Sequence, residues 1–283
     1  MHAEHRGEQI PLTPTKPSFQ DAATIAADRA ARQATDRPRI VAVVPALNEA
    51  PSIEAVVRGL LAQTAVPLAE VIVVDNGSTD DTGSIAQRAG ARVVVEPKRG
   101  YGHACWAGVS AATDAEIVVL LDGDAADDPS DLPRVLAPLL AGQADLVVGS
   151  RALGSREPGS MTPHQVFGNW LAATLMRGLY GVRVTDLGPF RAIRRDALLA
   201  LQMRELTYGW SVEMMVKAAR VGLRYGEVPV TYHRRVGGVS KVAGTVSGSV
   251  RAGWCILSTT FRYARWSPKP STAAGQPALA VSR

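Results

Sequence analysis

The sequence predicts an α/β protein in which a mostly parallel central sheet is flanked by helices. Short apolar runs recur along the first half of the chain, segments with helical patterning separate them, and polar residues follow each run. Short uninterrupted apolar runs are typical of strands that are buried on both faces of a parallel sheet. Strands that alternate with helices over short connections form right-handed parallel units. These three observations together predict the fold class.

Composition and charge limit the classes of function. With 283 residues, 46% of them hydrophobic and 20% charged, the chain can bury a sizeable core and is not wholly disordered. The net charge of +5 favours anionic partners such as phosphates, nucleotides or acidic lipids. Nucleic acid is not expected, because only 5% of residues are aromatic and no stretch alternates basic with aromatic residues. Cys105 and Cys255 form no metal or redox motif, which fits a cytoplasmic protein.

The first half of the chain alternates strands with helices. Residues 1–37 show no sign of a fold and are expected to form a mobile N-terminal extension. Ser52 is the expected N-cap of the first helix. The predicted strands are 40–44, 70–74, 92–96 and 116–121, and the predicted helices are 52–61, 82–89 and 102–112.

The second half continues with longer helices and more irregular connections. Residues 152–163 are expected to be a loop, and 184–193 a short strand or loop. One domain is therefore expected over 38–241. The remaining predicted elements are helices 132–140, 164–180, 195–201 and 210–221 and strands 145–149 and 224–232.

Residues 242–266 have the pattern of an amphipathic helix, and a mobile tail, 267–283, is expected after it. At helical spacing an apolar stripe runs along one side with arginines beside it. Such a helix either lies in a membrane interface or docks on the core of its own domain, and the pattern does not decide between them. No signal peptide and no 18-residue apolar run are visible, so no transmembrane helix is expected. The stripe consists of Val246, Val250, Trp254, Leu257 and Phe261, and the arginines are Arg251, Arg262 and Arg265.

Two carboxylates, Asp122 and Asp124, follow the apolar run at 116–121. Ligands of open α/β sheets bind beyond the carboxyl ends of the strands, and the pair lies at such an end. Two neighbouring carboxylates repel each other unless a cation lies between them, and a hard divalent ion with oxygen ligands suits them. The alternative is a simple polar turn. Asp75 and Lys98 also follow strands and are expected at the same edge.

Five motifs in a fixed order carry a family resemblance. They are Val-Pro45-Ala-Leu-Asn48-Glu49, Val-Asp75-Asn-Gly-Ser-Thr-Asp80, Asp122-Gly-Asp124, Val-Gly-Ser-Arg151 and Gly238-Val-Ser-Lys241. The set resembles the family 2 glycosyltransferases of GT-A, Rossmann-like fold, and within them the polyprenyl-phosphate (dolichol-phosphate) mannosyl- and glucosyltransferases. The resemblance covers about residues 38 to 245, which makes 38–241 the expected catalytic domain.

The resemblance implies a role for each matching residue. The donor would be a UDP- or GDP-linked hexose, with Asp75 at the base, and Asp122 and Asp124 would hold Mg²⁺ or Mn²⁺ on its diphosphate. The other residues expected at the nucleotide are Pro45, Asn48, Glu49, Lys98 and Gly100. The residues expected to face phosphates of the acceptor or donor are Arg151, Arg191, Arg234, Arg235 and Lys241.

Two departures from the family pattern affect these expectations. The relatives usually carry a Gln at the place of Ala126, so water or Asp127 would complete the metal coordination here. The segment after Asp186 reads Leu-Gly-Pro-Phe-Arg instead of a Ser-Gly-Phe-Arg-like form, which leaves the identity of the acceptor open.

The implied reaction is an inverting displacement at the anomeric carbon of the nucleotide sugar. Asp122 and Asp124 would be catalytic through the metal, which stabilises the leaving diphosphate. A lipid phosphate attacks without a general base, whereas a hydroxyl acceptor needs a carboxylate, for which Asp186 and Glu213 are the candidates. Each has a structural alternative: Asp186 ordering its loop, and Glu213 a first-turn helix carboxylate.

The predicted function is transfer of a hexose to a polyprenyl phosphate by a cytoplasmic enzyme associated with the inner face of a membrane. Two alternatives stay open: the same donor chemistry with a soluble hydroxyl acceptor, and a non-catalytic module that binds nucleotide sugars. The sequence names neither the sugar nor the nucleotide, and it gives no signal for the oligomeric state.

Overall fold

The fold is a seven-stranded sheet with helices on both faces. The structure, a computed structural model, describes residues 37–237 and 257–268. Within these ranges the strand order is β3-β2-β1-β4-β6-β5-β7. The strands are β1 (Ile40–Ala46), β2 (Glu70–Asp75), β3 (Arg92–Val95), β4 (Ile117–Leu120), β5 (Leu146–Arg156), β6 (Arg191–Arg194) and β7 (Tyr225–Tyr232). The helices are α1 (Ile53–Leu61), α2 (Thr82–Arg88), α3 (Tyr101–Ala111), α4 (Leu132–Leu140), α5 (Pro163–Tyr180), α6 (Arg195–Ala200) and α7 (Trp210–Arg220).

The prediction of a mostly parallel sheet is confirmed, with β6 as the exception. β1 pairs in parallel with β2 and β4, β2 with β3, and β5 with β7. β6 runs antiparallel to both β4 and β5, and Arg191 at its start pairs with Leu120 at the end of β4. The chain therefore enters β6 from the edge at which β4 ends. This reversal brings the loop before Arg191 to the same edge as Asp122.

The inner strands β1 and β4 are apolar and buried along their whole length because both faces of the sheet are covered there. Val41 and Val43 belong to one core layer, which includes residues of α3 and α7, whereas Ala42 and Val44 belong to the other, which includes residues of α1 and α4. Helix α3 approaches the sheet closely at Gly108, where an added Cβ would lie 2.3 Å from Cγ1 of Val43. Close packing thus places the N-terminus of α3 next to the strand ends.

One local prediction is wrong, and another is confirmed only in part. Residues 152–156 are not a loop but the outer part of β5, which pairs with β7 after a register shift. Their side chains are exposed, so they carry no apolar pattern that predicts a strand. Ser52 is at the N-cap position of α1 but makes no side-chain cap; its hydroxyl instead donates to the carbonyl of Gly123 at 2.8 Å.

The predicted C-terminal helix is only partly described. Lys241 and residues 242–256 lie outside the described residues, while 257–262 are helical. Thr259, Thr260 and Tyr263 are buried, and the hydroxyl of Tyr180 donates to the carbonyl of Thr260. The described end of this helix therefore docks on the domain, whereas Phe261 of the predicted stripe is 58% exposed. No helix in the part of the chain that the structure describes is long and apolar enough to span a bilayer.

Candidate active site

The ends of β1 and β2 carry a network of backbone and side-chain hydrogen bonds. Asn48 adopts a left-handed φ of 54°, and its Oδ1 accepts from the backbone N–H of Thr79 at 2.7 Å. The N–H of Asn48 donates to Oγ of Ser78, and that of Glu49 to Oγ1 of Thr82 at 2.9 Å. Pro45, by contrast, is buried inside β1. The network fixes the loop after β1 against the loop after β2.

Asp75 and Asn76 hold the loops after β2 and β3 at the same edge of the sheet. Oδ1 of Asp75 accepts from the N–H of Ser78 at 2.8 Å, and its side chain is partly exposed. The buried amide of Asn76 donates to the carbonyls of Glu96 and Lys98 and accepts from the N–H of Gly100. Asn76 therefore holds the loop that connects β3 to α3, while the side chain of Lys98 stays exposed.

Two glycines let a second segment approach the start of α3. Gly100 has a φ of 151°, and a Cβ there would lie 2.4 Å from the carbonyl oxygen of Leu206. A Cβ at Gly102 would lie 2.4 Å from the carbonyl oxygen of Glu205. The N–H of Gly102 donates to the carbonyl of Thr207 at 3.2 Å. These contacts require glycine at both positions and join 205–207 to the site.

Asp122 and Asp124 lie beside each other in different environments. Oδ1 of Asp122 accepts from the hydroxyl of Tyr101 at 3.0 Å, and Oδ2 of Asp124 accepts from Nη2 of Arg235 at 2.6 Å. Burial, followed by the charge of Asp124, raises the pKa of Asp122 to about 7. The Tyr101 hydroxyl and the charges of Arg235 and Arg151 oppose this rise. The positive charges near Asp122 are therefore too few to offset its burial and the negative charge of Asp124.

The donor set fits a divalent metal ion. Hard cations such as Mg²⁺ and Mn²⁺ prefer carboxylate oxygens, and the raised pKa of Asp122 indicates where a further positive charge would be stabilised. The described residues contain no cluster of three or more His, Cys, Asp or Glu that could hold a metal. An ion held by Asp122 and Asp124 would need its other ligands from water or from a bound ligand, and Mg²⁺ usually keeps several waters and few carboxylates.

Asp127 is buried close to this pair without a hydrogen-bond partner. Among the described residues neither of its carboxylate oxygens is bonded. Burial, and then the charge of Asp122, raises the pKa of Asp127 well above its usual range. Asp127 does not join Asp122 and Asp124 in a three-carboxylate cluster, so the structure gives no support for it as the third ligand.

Arg151, in the middle of β5, forms a buried ion pair with Asp186. Nε and Nη2 of Arg151 each contact one carboxylate oxygen of Asp186 at 2.7 Å, and the backbone N–H of Arg151 donates to Oδ2. The guanidinium carbon lies 4.9 Å from the ring centre of Tyr232. Asp186 therefore fixes the position of Arg151, and its role as a general base stays a prediction.

Glu213 and Arg191 are buried among structural partners. The carboxylate of Glu213 accepts from the backbone N–H groups of Arg204 and Glu205 and pairs with Nζ of Lys217 at 2.6 Å. Arg191 donates to the carbonyls of Leu187, Gly188 and Ser211, and burial lowers its pKa. These contacts hold the loop before β6 and the start of α7. The predicted roles of Glu213 and Arg191 in catalysis and phosphate binding stay predictions.

Arg234 and Arg235 follow β7 and point in different directions. Arg234 is exposed, and its Nε donates to the carbonyl of Pro158 at 2.6 Å. Arg235 contacts Asp124 and, at 3.6 Å, Oε1 of Glu49. The segment is fixed to the Asp-Gly-Asp loop by the N–H of His233, which donates to the carbonyl of Ala126 at 2.7 Å.

A groove beside the Arg151–Asp186 pair has mixed chemistry. It has a volume of about 330 Å³, and Asp186 forms part of its wall. Half of its apolar lining residues belong to α5. The apolar residues are Ala152, Met161, Val166, Trp170, Ala173 and Val184, and the basic ones are Arg156 and Arg177.

Three features of the site were not predicted from the sequence. Tyr101 on Asp122 and Asn76 under the 96–100 loop are each single polar residues inside turn-like sequence, with no pattern that identifies them. The contact of Arg235 with Asp124 joins residues 111 positions apart. The family resemblance placed Arg235 near phosphates, but no sequence pattern indicates its contact with Asp124.

Comparison with known proteins identifies the family. The family model "Glycosyl transferase family 2" matches residues 41–201. The chain is 42% identical to a protein of Mycobacterium tuberculosis named only as a glycosyltransferase, over 75% of this chain and 94% of that protein. It is 31% identical to the undecaprenyl-phosphate mannosyltransferase of Micrococcus luteus, over 74% of this chain and 90% of that protein.

Solved structures show the same architecture. Glucosyl-3-phosphoglycerate synthase from M. tuberculosis, in complex with phosphoglyceric acid, superposes with a TM-score of 0.64 at 29% identity, over 87% of this chain and 86% of that chain. The same synthase has been crystallised with Mn²⁺, UDP and glucosyl-3-phosphoglycerate. The expected GT-A-like α/β architecture is thereby confirmed, and the chain is an enzyme that belongs to glycosyl transferase family 2.

Proposed function

We propose that this enzyme transfers a hexose from a nucleoside-diphosphate sugar to a polyprenyl phosphate at the cytoplasmic face of a membrane, with a divalent metal on the donor diphosphate. The relatives named above include one that is an undecaprenyl-phosphate mannosyltransferase, and a polyprenol monophosphomannose synthase of Mycolicibacterium smegmatis is 30% identical over 75% of this chain. These names support a lipid phosphate as the acceptor class. UDP and GDP remain equal candidates for the nucleotide.

The groove beside Arg151 is the observation that carries the proposal. A polyprenyl phosphate has an anionic head and an apolar tail, and the groove offers basic groups together with an apolar wall. A bidentate contact with Asp186 holds the guanidinium of Arg151 in place, and in this position it can bind a phosphate near Asp122 and Asp124. A soluble hydroxyl acceptor would not need the apolar wall that Val166, Trp170 and Ala173 supply.

The outer face of α5 supports a membrane location. Phe167 and Trp170 are 60% and 59% exposed, and their rings contact each other with centres 5.7 Å apart. Helix α5 contains no Asp or Glu and carries Arg177 near its end. An exposed apolar face with Trp and Arg is typical of a helix at a lipid–water interface.

The chemistry follows from the charges in the site. A metal ion, when bound by Asp122 and Asp124, stabilises the diphosphate as it leaves. A phosphate acceptor is already anionic, so the site does not need a base to remove a proton from it. The site has to supply positive groups that pair with the negative charge of the phosphate. Arg151 is suited to that task, and the engagement of Asp186 with Arg151 fits a positioning carboxylate better than a general base.

A soluble phosphorylated acceptor is the second candidate. The synthase of similar fold has been crystallised with phosphoglyceric acid and a metal, so a small anionic acceptor suits this architecture in at least one protein. The same basic groups would pair with such a phosphate. The difference lies in the apolar wall of the groove, which only a lipid would fill.

A donor and acceptor panel tests the proposal. The purified full chain with Mn²⁺ is given UDP-glucose, UDP-galactose, UDP-N-acetylglucosamine or GDP-mannose, each alone, with a short polyprenyl phosphate, or with 3-phosphoglycerate. We expect one donor to release its nucleoside diphosphate much faster with the lipid than with either other condition. Release that depends on 3-phosphoglycerate instead, or on no acceptor, would contradict a lipid acceptor.

Vesicle binding tests the α5 face separately. The double variant Phe167→Ser with Trp170→Ser is compared with Leu61→Ser with Leu140→Ser, which removes two exposed leucines beside the other core layer. We expect the first pair to weaken binding to anionic vesicles at least tenfold and the second to change it less than twofold. Equal binding by both double variants would contradict the membrane role of α5.

A further inference from the structure

The guanidinium of Arg235 lies where a metal ion on Asp124 would be expected. Its Nη2 and Nε contact Oδ2 of Asp124 at 2.6 and 3.1 Å, and Nη2 lies 3.6 Å from Oε1 of Glu49. Both carboxylates are almost fully buried, and the Arg235 side chain is 24% exposed. The structure thus shows a protein cation on one of the two carboxylates proposed to hold the metal.

Arg235 and a metal ion on Asp124 would compete for the same carboxylate. A Mg²⁺ or Mn²⁺ ion binds a carboxylate oxygen at roughly 2.0–2.2 Å, which would put it within a few ångströms of a guanidinium nitrogen 2.6 Å from the same atom. Two positive charges at that separation repel each other, and Arg235 is only 24% exposed to solvent. Binding of one cation to Asp124 therefore weakens binding of the other.

The position of the arginine allows it to move without leaving the site. The backbone on either side is fixed: the N–H of His233 donates to the carbonyl of Ala126, and the N–H of Val236 approaches the carbonyl of Asp124 at 3.4 Å. The arginine side chain itself is long and partly open to solvent. When it leaves Asp124 it therefore remains within reach of an anion bound at the metal.

We propose that Arg235 and the divalent metal alternate on Asp124, and that Arg235 moves to the phosphate oxygens of the donor when the metal binds. This inference rests on the proposed metal-assisted transfer. Arg235 is then a competitor of the metal in the free enzyme and a phosphate ligand in the donor complex. The exchange predicts weak metal binding by the free enzyme and positive coupling between the metal and a nucleoside diphosphate, because the diphosphate gives the displaced arginine a new partner.

Metal binding without turnover tests the exchange. The full chain is titrated with Mn²⁺, and free Mn²⁺ is measured by electron paramagnetic resonance, first alone and then with UDP or GDP. The variant Arg235→Gln removes the competing charge, and Arg234→Gln is the matched control because Arg234 is exposed and bonds to Pro158 and Glu157. We expect Arg235→Gln to bind Mn²⁺ alone about tenfold tighter than the wild type, Arg234→Gln to stay within twofold, and the gain from the nucleotide to shrink in Arg235→Gln.

Two further variants make the outcome unambiguous. Arg235→Met is a second neutral variant in case Arg235→Gln folds poorly, and Arg235→Lys keeps the charge and should bind Mn²⁺ nearly as weakly as the wild type. Mn²⁺ affinity of both neutral variants within threefold of the Arg234→Gln control, or lower than it, would overturn the exchange. A lysine variant that binds as tightly as the neutral variants would overturn it as well. Because no sugar transfer is measured, failure of the exchange is distinct from failure of the proposed reaction.

Discussion

The ion pair between Arg151 and Asp186 gives the most informative single substitution, Asp186→Asn. Asp186 is 1% exposed and Arg151 11%, and two 2.7 Å contacts join them. Asparagine keeps the shape of the side chain but removes its charge and turns an N–H₂ group toward the guanidinium. Arg151 is then buried without a counter-charge, apart from the face of the Tyr232 ring at 4.9 Å.

The expected loss is large because the charge that remains is buried. Removing one partner of a buried ion pair costs about 3–5 kcal/mol, and the Tyr232 ring offsets part of it, so we expect a loss of about 3 kcal/mol in the free energy of unfolding. The matched control is Asp145→Asn. Asp145 makes the same kind of two-point contact with Arg224, but that arginine is 55% exposed. Pairs near the surface contribute about 0–1 kcal/mol.

Urea unfolding followed by tryptophan fluorescence at neutral pH measures both variants. A double variant, Asp186→Asn with Arg151→Gln, should regain part of the loss because the unpaired charge is gone. A loss below about 1 kcal/mol in Asp186→Asn, equal to that in Asp145→Asn, would refute the positioning role. A stable Asp186→Asn protein with a 100-fold or larger fall in kcat would instead favour Asp186 as a general base.

Three further predictions concern stability. Gly108→Ala should lower the free energy of unfolding by about 1–3 kcal/mol, because the added Cβ would lie 2.3 Å from Val43. Gly178→Ala, which places its Cβ in open space on α5, should raise the free energy of unfolding by about 0.5–1 kcal/mol. Chemical denaturation measures both variants, and equal effects would contradict the packing argument. Asp127→Asn should stabilise the metal-free protein more at pH 7.5 than at pH 4, because burial raises the pKa of Asp127 well above its usual range and so disfavours its charged form in the folded state. Chemical denaturation at both pH values measures this, and a loss of stability at pH 7.5 would contradict it. His233→Gln should destabilise the protein at pH 5.5 by less than about 1 kcal/mol and have almost no effect at pH 8.5. Hydrogen bonds to Glu157, the larger cause, and to Asp128 raise the pKa of His233, and the stability that they contribute is lost as the pH rises through that pKa. Thermal melts at both pH values measure this, and an effect that does not depend on pH would contradict it.

The parts of the fold that the sequence predicts are those with a strong local pattern. The apolar runs at β1 and β4 are strands whose burial on both faces leaves no polar residue in them. Asp75 and Asp122 lie at strand ends because parallel strands finish at one edge of the sheet. Patterns of this kind repeat every few residues, so a single sequence is enough to detect them.

The features that could not be predicted depend on contacts between distant segments. The direction of β6 is set by its place between β4 and β5 and not by its four residues. The exposed end of β5 has no apolar pattern, although it pairs with β7. Arg235 was expected at a phosphate, but its contact with Asp124 follows from the path of the chain after β7, which composition does not reveal.

The most direct test of the central claim is the chemical identity of the product. Donor labelled in its sugar is incubated with the enzyme, Mn²⁺ and a polyprenyl phosphate, and the label is followed into the organic phase. The proposed function predicts label in a lipid that mild acid releases as free sugar, in an amount that depends on the lipid and is lost in Asp124→Ala. Label that stays in the aqueous phase with every donor, while nucleoside diphosphate is still released, would contradict transfer to a lipid phosphate.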